Sequence, residues 1–344
     1  MIPQVFSRPE DFVLVGGVNF ATPFALLDPS SPRPGTSQSF TGPVSALAVA
    51  RRKTFALATL NPVSGEFYLP GSLVPFDLTN PLGPVVQTPV SAQYDPVDVA
   101  IGPNDDFALV VASGPTRILP YGLSSEYGGT NPLAPVLGTP AALPGSSFPL
   151  GIAIAPSGEW AYLFFYDNSR DQLLYVAPVN LSNPMAPVVV GSGVEGSSSL
   201  IGRSGRIVIA PNGLSLLVAQ PLMAYDISSP TSPVLHAVTP TDDDALWIAY
   251  SPDGKSGLLT NPGDNTISAM DLTNPLAPVV QTPPVAVGNS PQGVAITPDG
   301  AFGVVCNSGD NTLSFLSLTS PLLPVVAATP SIGYSPMAAQ MFFR

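Results

Sequence analysis

The sequence predicts an all-β protein built from repeated antiparallel units, and three observations lead to this prediction. The 344 residues include 43 prolines and 31 glycines, which disrupt helices and favour short strands joined by turns. Hydrophobic residues make up 45% of the chain and charged residues only 10%, a composition that favours a packed core over disorder. The third observation is internal repetition with a period of about 40 to 55 residues, which is typical of repeat architectures.

Each repeat opens with a short apolar run that ends in a turn containing proline, then Asp, Asn or Ser, and in most copies glycine. The prolines of successive copies lie 53, 55, 41 and 46 residues apart. Proline presets φ, Asp or Asn forms local hydrogen bonds, and glycine accepts a positive φ, so the motif predicts a hairpin between a first and a second strand. A degenerate copy at 47–50 runs into Arg51-Arg52-Lys53, and the full copies are 99–104, 152–158, 207–213, 248–254 and 294–300.

A second motif, with two prolines three residues apart, follows each copy of the first. It reads DLTNPLGPVV at 77–86 and DLTNPLAPVV at 271–280. Because proline lacks an N–H, a strand that opens with it suits the edge of a sheet. The motif therefore predicts the connection from a third strand to an outermost fourth strand, and its variants are 130–136, 180–189, 226–234 and 318–326.

Two further strands lie between the motifs, so that each repeat is predicted to be a four-stranded antiparallel meander. In the last full repeat, 302–306 reaches a turn at 308–311 and 312–318 leaves it. Most of these strands are apolar on both faces, as expected where both faces are covered. Radially stacked four-stranded sheets have this property, which indicates a β-propeller.

The number of repeats predicts seven blades and a closed ring. Residues 9–40 hold three strands without a first motif, and 336–343 form a single strand that resembles a first strand. Three N-terminal strands and one C-terminal strand would complete a seventh blade, which removes the free edges of the ring. The prediction is one domain over 1–344, and the alternative is an open solenoid with capping repeats. Six complete units begin near Ser45, Pro96, Pro149, Gly205, Ala245 and Gln292.

Two segments resemble known repeat families. Residues 290–300 together with 304–313 resemble a YVTN-type propeller repeat, and 271–279 are similar to an LVIVD-type repeat. The resemblance implies a fold shared by surface-layer-like proteins, binding scaffolds and a few enzymes, and it does not select among them. The sequence departs from the pattern at Arg51-Arg52-Lys53 and at Cys306-Asn307.

Charge and hydropathy exclude several classes of partner. The formal net charge is −12, and such an acidic surface repels nucleic acids and anionic membranes. No uninterrupted apolar run reaches the length of a spanning helix, so no membrane insertion is expected. No signal peptide is visible in the chain as given. An extracellular, cell-surface or periplasmic location is the expectation, and the oligomeric state stays open.

The residues that commonly carry chemistry are scarce. His236 is the only histidine and Cys306 the only cysteine. A single histidine excludes a multi-histidine metal centre, and a place on an outermost strand does not suit the histidine of a Ser-His-Asp triad. His236 is predicted on an outermost strand and Cys306 as a small buried residue. Asp242-Asp243-Asp244 is the densest charge cluster. A solvated acidic loop is the favoured interpretation, and Ca²⁺ binding stays open. No cofactor and no metal are predicted.

A candidate binding face is predicted where the fourth-to-first and second-to-third connections meet. These connections lie on one side of a propeller, and loops on a rigid scaffold commonly carry binding residues. The opposite side is predicted to hold short Pro-Asp-Gly and Asn-Pro turns. The candidates are Tyr94, Asp95, Asp98, Arg203, Asp242, Asp243, Asp244, Trp247, Asn289, Gln292 and Tyr334.

Three functions from different classes fit the sequence. The favoured prediction is a non-catalytic interaction scaffold that makes protein–protein contacts in a surface or multi-subunit assembly. One alternative is a propeller that binds a small ligand or a carbohydrate, so that a protein or a glycan is the expected partner. The other alternative is an enzyme of the lactonase or lyase type, a class that some seven-bladed propellers represent.

Overall fold

More than half of the residues that the computed structural model describes lie in β-strands. Within that part of the chain there are thirty β-strands and one short 3-10 helix, Ser125–Tyr127. None of its helices is long and apolar enough to cross a membrane. The described residues are 11–26, 32–62, 70–114, 116–129, 131–145, 147–168, 173–196, 206–219, 221–241 and 245–343.

The largest sheet has twelve strands and contains both ends of the described chain. Its strands are β1 (Asp11–Ala25), β2 (Arg33–Pro34), β3 (Gln38–Val49), β4 (Phe55–Leu60), β5 (Pro70–Asp77), β6 (Val85–Val86), β7 (Val90–Ile101), β8 (Phe107–Gly114), β9 (Thr116–Gly122), β10 (Val136–Leu137), β11 (Ala141–Ala142) and, at the C-terminal end, β30 (Pro336–Phe343). The strands β3 and β7 are long because each joins the outer edge of one unit to the first strand of the next.

Four further sheets of four or five antiparallel strands follow in chain order. The first holds β12 (Ser147–Ile154), β13 (Trp160–Asp167), β14 (Leu173–Asn180), β15 (Val188–Val189) and β16 (Val194–Glu195). The second holds β17 (Ile207–Ile209), β18 (Ser215–Val218), β19 (Leu222–Asp226) and β20 (Val234–Thr239). The third holds β21 (Ile248–Tyr250), β22 (Ser256–Asn261), β23 (Thr266–Asp271), β24 (Val279–Val280) and β25 (Val285–Ala286). The last holds β26 (Pro291–Ile296), β27 (Phe302–Asn307), β28 (Thr312–Ser317) and β29 (Val325–Ala328).

The two ends of the chain meet in one sheet. The strand β30 pairs antiparallel with β1 over seven residue pairs, from Asp11 opposite Phe343 to Gly17 opposite Pro336. Leu14 of β1 and Ala338 of β30 are buried in one cluster with Ala58 and Val74 of the next unit. The N-terminal and C-terminal strands are therefore part of the same core.

The predicted fourth strand is broken into two short pieces in several units. Both β24 and β25 pair with β23, and both β15 and β16 pair with β14. The outermost strand, or its first piece where it is broken, begins with a valine directly after proline in six units, and these valines are 45 to 62% exposed. Short edge strands that open with proline offer little unpaired backbone to a neighbouring molecule. The exposed valines are Val85, Val136, Val188, Val234, Val279 and Val325.

Second strands are the most deeply buried elements, as their apolar sequences predict. All six residues of β4 and all six of β22 are buried. Polar side chains at the ends of these strands are satisfied locally, since Asn261 donates from Nδ2 to Thr266 Oγ1 and Ser268 Oγ at 3.0 Å each. Asn307, at the end of β27, makes the equivalent bonds in the next unit. In both units these hydrogen bonds link the end of the second strand to the start of the third.

The proline turns of neighbouring units stack on one another. A Cβ placed on Gly158 would lie 3.0 Å from Pro103 Cγ of the preceding unit, and one on Gly213 would lie 3.3 Å from Pro156 Cδ. Both glycines have positive φ values, 76° and 72°. The turn therefore needs glycine for its backbone conformation, and the absence of a side chain permits the contact with proline.

The degenerate turn at Arg51-Arg52 is stabilised by a residue of the following unit. Asp105 Oδ1 accepts the N–H of Arg51 and Oδ2 accepts that of Arg52, both at 2.7 Å. Asp105 itself is buried and has a φ of 62°, a conformation that Asp and Asn tolerate. A carboxylate from the neighbour thus replaces the proline and glycine that the other turns use.

Substitution of Asp105 by Asn should destabilise the protein by about 1–3 kcal/mol, because the amide oxygen accepts only one of the two part-buried N–H groups and the amide nitrogen faces the other. Asn retains the positive φ, so the loss isolates the hydrogen bonds. Asp253→Asn is the matched control, since this exposed aspartate bonds only within its own turn in the described structure; it should cost about 0.5 kcal/mol. Urea unfolding followed by tryptophan fluorescence measures both. Equal losses in the two variants would contradict the proposed support between units.

Candidate functional site

A central cavity of about 560 Å³ lies among the first strands of the units. Its size falls within the range of small-molecule sites. The residues that line it come from the first strands or directly precede them, together with Pro298: they are 47–49, 98–101, 152–154, 206–209, 247–250, 294–296 and 340–341.

Aligned by their burial pattern, the first strands place residues at three levels along the cavity. The upper level, at the start of the strands, is lined by Asp98, Arg206 and Trp247. The residues aligned with them on the other first strands are Ala46, Gly151, Gly293 and Ala338. The middle level holds Ala48, Ala100, Ala153, Val208, Ala249, Ala295 and Gln340. The lower level holds Val49, Ile101, Ile154, Ile209, Tyr250, Ile296 and Met341. The charged side chains of the described lining, Asp98 and Arg206, thus lie at the upper level, and the side chains beneath it are mainly aliphatic.

Arg206 connects the upper level across the cavity. Its Nη1 forms an ion pair with Asp98 Oδ1 and donates to the carbonyl oxygen of Val97 at 3.5 Å. Its Nη2 donates to the carbonyl oxygen of Ser45 at 2.6 Å. The side chains of Arg206 and Asp98 are only 13% and 12% exposed. A guanidinium in such a water-poor setting interacts with charge more strongly than it would at the surface.

Trp247 provides a flat surface beneath the guanidinium. The Cζ atom of Arg206 lies 4.1 Å from the centre of the Trp247 ring, which is a cation–π distance. The Trp247 backbone N–H donates to Thr260 Oγ1 at 3.1 Å, so the indole is attached to a buried strand. The orientation of the guanidinium plane is therefore fixed from two sides.

Asp98 is held by backbone donors of two strands. Its Oδ1 accepts the N–H of Val99 and its Oδ2 accepts the N–H of Ile152, each at 3.0 Å. A Cβ on Gly151 would lie 3.2 Å from Asp98 Oδ2, so glycine at this position admits the carboxylate. A carboxylate has about four lone-pair positions. Within the described residues, these two bonds and Arg206 occupy three of them.

The structure brings two of the predicted candidates, Asp98 and Trp247, into one cluster through Arg206. Three other candidates form hydrogen bonds with residues that do not line the cavity. Gln292 Nε2 donates to Ser290 Oγ at 3.3 Å, and the Asn289 N–H donates to Asp310 at 3.0 Å. The Tyr334 hydroxyl donates to the carbonyl oxygen of Val15 at 3.3 Å, and burial raises its pKa.

The remaining candidates do not line the cavity or fall outside the described structure. Asp95 precedes the cavity residues of β7 and has a φ of 49°. Tyr94 pairs through its backbone with Pro70 and Gly114. Candidates that lie outside the described residues are Arg203, Asp242, Asp243 and Asp244.

Arg206 is the residue that the sequence analysis missed. It directly precedes the apolar run of β17, as Asp98 precedes the run 99–101 and Trp247 precedes β21. Alignment of the seven segments that line the cavity would have shown that only these three carry a charged or aromatic residue at that position. The sequence analysis selected Arg203 instead, three residues earlier.

The single histidine and cysteine lie away from the cavity, at the positions predicted for them. His236 is on the outer strand β20, where its Nε2 is 4.0 Å from Asp226 Oδ2. Cys306 is fully buried, which raises the pKa of its thiol. In the described part of the chain, no group of three or more His, Cys, Asp or Glu side chains is arranged to hold a metal ion.

Comparison with known structures identifies the fold as a β-propeller. By sequence the chain matches no protein-family profile and no curated protein. A Bacteroides uniformis protein described as a 6-phosphogluconolactonase superposes with a TM-score of 0.79 at 16% identity, over 97% of this chain and 100% of the other. The periplasmic gluconolactonase of Pseudomonas aeruginosa gives 0.75 at 12% identity, over 96% and 99%. The Cps50 (Swd1) β-propeller domain from Myceliophteria thermophila gives 0.63 at 12%, over 90% and 94%.

The comparison corrects the favoured functional prediction. A non-catalytic interaction scaffold was predicted, and the chain was predicted not to be an enzyme; both predictions are contradicted by similar propellers that are named as lactonases. The error has a physical origin. Proline-rich turns and low charge belong to the repeat architecture and are shared by propellers with and without catalysis. The near absence of histidine excludes one kind of active site, but it says nothing about a paired arginine and aspartate.

Proposed function

We propose that the protein is a lactonase-type propeller enzyme whose reaction takes place at the upper level of the central cavity. The observation that carries this proposal is the Arg206–Asp98 pair, held on Trp247 above a cavity of about 560 Å³. The names of similar propellers support the reaction class. Apolar side chains with a few converging polar groups usually line a small-molecule site, and most of the side chains that line this cavity are apolar.

Lactone hydrolysis needs stabilisation of negative charge on the carbonyl oxygen. Water adds to the carbonyl carbon, the ring C–O bond breaks, and a proton reaches the departing alkoxide to give a hydroxy acid. A guanidinium has five N–H donors, and the contacts of Arg206 within the described residues use three. The other two donate to the carbonyl oxygen as its charge develops, an interaction that preorganised donors perform well in a water-poor site.

Asp98 supplies the acceptor for the attacking water. Three of its lone-pair positions are occupied within the described residues, and the fourth accepts the proton that the water loses. The same proton is then donated to the ring oxygen as the C–O bond breaks. Because both carboxylate oxygens are fixed by backbone N–H groups, the position of this acceptor relative to Arg206 is set by β7 and β12.

We further infer that the units form seven blades of a closed ring within one domain, 1–344. The cavity is lined by residues of seven strand segments, and the pairing of β30 with β1 supports closure at the chain ends. In this proposal, the YVTN-like and LVIVD-like segments are copies of the repeat that forms each blade. We also propose a location outside the cytoplasm, which a periplasmic propeller of similar fold supports. The exclusion of nucleic-acid partners stays a prediction.

Replacement of Asp98 by Asn should reduce kcat/KM for a δ-lactone by at least about 10²-fold, because the amide is a poor proton acceptor. Asp95→Asn is the matched control. It lies three residues earlier on the same strand outside the cavity lining, and Asn tolerates its positive φ. Its rate should equal that of the unaltered protein. Acid release in a pH-stat, corrected for spontaneous hydrolysis, measures both variants.

Two results would refute the proposed function. One is the absence of lactone hydrolysis above the spontaneous rate in the unaltered protein, across unsubstituted, alkyl and sugar δ-lactones. The other is an equal effect of Asp98→Asn and Asp95→Asn on the rate, which would show that the activity does not depend on the carboxylate in the cavity.

A further inference from the structure

We infer that the cavity takes an uncharged lactone that carries an aliphatic chain, in preference to a sugar lactone or a phosphorylated one. This inference rests on the proposed function and specifies its substrate class. The lactone ring is placed at the upper level beside Arg206, and the chain extends past the middle level to the lower one. The evidence is the distribution of charge and polarity along the cavity.

A phosphorylated substrate finds no free positive charge. Among the described residues that line the cavity, Asp98 and Arg206 are the only charged ones. They are ion-paired, so the charge of the lining sums to zero. The chain as a whole carries −12, and this field opposes the approach of a dianion. A phosphoester group would therefore lose its hydration without gaining a cation.

A polyhydroxylated lactone finds few side-chain hydrogen-bond partners below the upper level. In the described lining, the side chains of the middle level are alanine or valine with one amide, Gln340. The lower level is aliphatic except for Tyr250. Hydroxyl groups buried against alanine, valine and isoleucine would lose their bonds to water without replacement.

The aliphatic levels instead fit an alkyl chain. Small side chains at the middle level leave space along the cavity, and Ile101, Ile154, Ile209 and Ile296 provide an apolar floor. Burial of each methylene of a ligand in such a site strengthens binding by about threefold to fourfold. A ligand with one polar end and one apolar end matches the order of the three levels.

The test uses lactams, which keep the ring carbonyl and resist hydrolysis. Isothermal titration of the full chain compares δ-lactams bearing a methyl, propyl or hexyl group with gluconolactam and its 6-phosphate. We expect affinity to rise at least about tenfold from methyl to hexyl, and the two sugar lactams to bind more weakly than the hexyl compound. Gln340→Leu should preserve hexyl-lactam binding, whereas Ala100→Phe, which fills the middle level, should weaken hexyl binding and spare methyl binding.

The inference is overturned if either sugar lactam binds more tightly than the hexyl lactam, if affinity is flat across the alkyl series, or if no lactam binds. Loss of hexyl-lactam binding in a folded Gln340→Leu variant would also overturn it, since the amide would then be the main anchor. Tight hexyl-lactam binding without hydrolysis of the matching lactone supports the cavity assignment and refutes the proposed reaction. The two failures are therefore distinguishable.

Discussion

Replacement of Arg206 by alanine should lower kcat for δ-lactone hydrolysis by about 10²- to 10³-fold, the usual loss when an oxyanion donor is removed. The guanidinium is the group in the cavity that bears N–H donors toward the proposed carbonyl position, and its stacking on Trp247 at 4.1 Å fixes its orientation. Without it, negative charge would develop beside the Asp98 carboxylate with no compensating cation. Steady-state kinetics on the purified variant measures the loss.

The Arg206→Lys variant distinguishes the effect of the positive charge from that of the planar guanidinium geometry. Lysine keeps a positive charge but lacks the planar fork that contacts Asp98 and the Ser45 carbonyl together. Its activity should fall between those of the alanine variant and the unaltered protein. Circular dichroism spectra and melting curves confirm that each variant is folded. An alanine variant that is folded and retains full activity would place the reaction elsewhere.

Deletion of residues 336–344 should abolish cooperative folding. The deletion removes β30, which forms seven residue pairs with β1 and contributes Ala338 and Ala339 to the core. The loss leaves unpaired strand edges on β1, a condition that promotes aggregation. Size-exclusion chromatography and a thermal melt measure the result. A truncated protein that melts within a few degrees of the full chain would contradict ring closure.

A circularly permuted chain is the control for the deletion. Phe343 is paired with Asp11, so residues 336–344 can be moved ahead of the N-terminus and still form an antiparallel hairpin with β1. The permuted protein should fold and melt cooperatively. Recovery by the same nine residues in a different covalent order would show that strand pairing, and not chain length, is what the deletion removes.

The fold was predictable because its determinants are local and repeated. The proline-glycine turns, the exposed valines after proline and the buried second strands each recur at fixed places in the sequence, so every copy strengthens the prediction from the others. The broken fourth strands were not visible, because pieces of two residues such as β24 and β25 carry no periodicity. The support of the Arg51-Arg52 turn by Asp105 also escaped prediction, since 53 or 54 residues separate the partners.

The candidate site was only partly predictable. Asp98 and Trp247 were selected because they lie near the loops of one face, but the interaction that unites them runs through Arg206 from a third unit. Contacts between units that are far apart in the sequence depend on how the units are arranged around the cavity, which no local pattern describes. Glycine at 151 was equally uninformative in the sequence, although its missing side chain admits the Asp98 carboxylate.

The most direct test of the central claim is a crystal structure of the full chain with a bound δ-lactam. The proposed function predicts the lactam carbonyl oxygen about 2.7–3.1 Å from the guanidinium nitrogens of Arg206, within reach of the position at which Asp98 holds water. A lactam bound instead among the outer strands or on the proline turns, with the Arg206–Asp98 pair untouched, would contradict it.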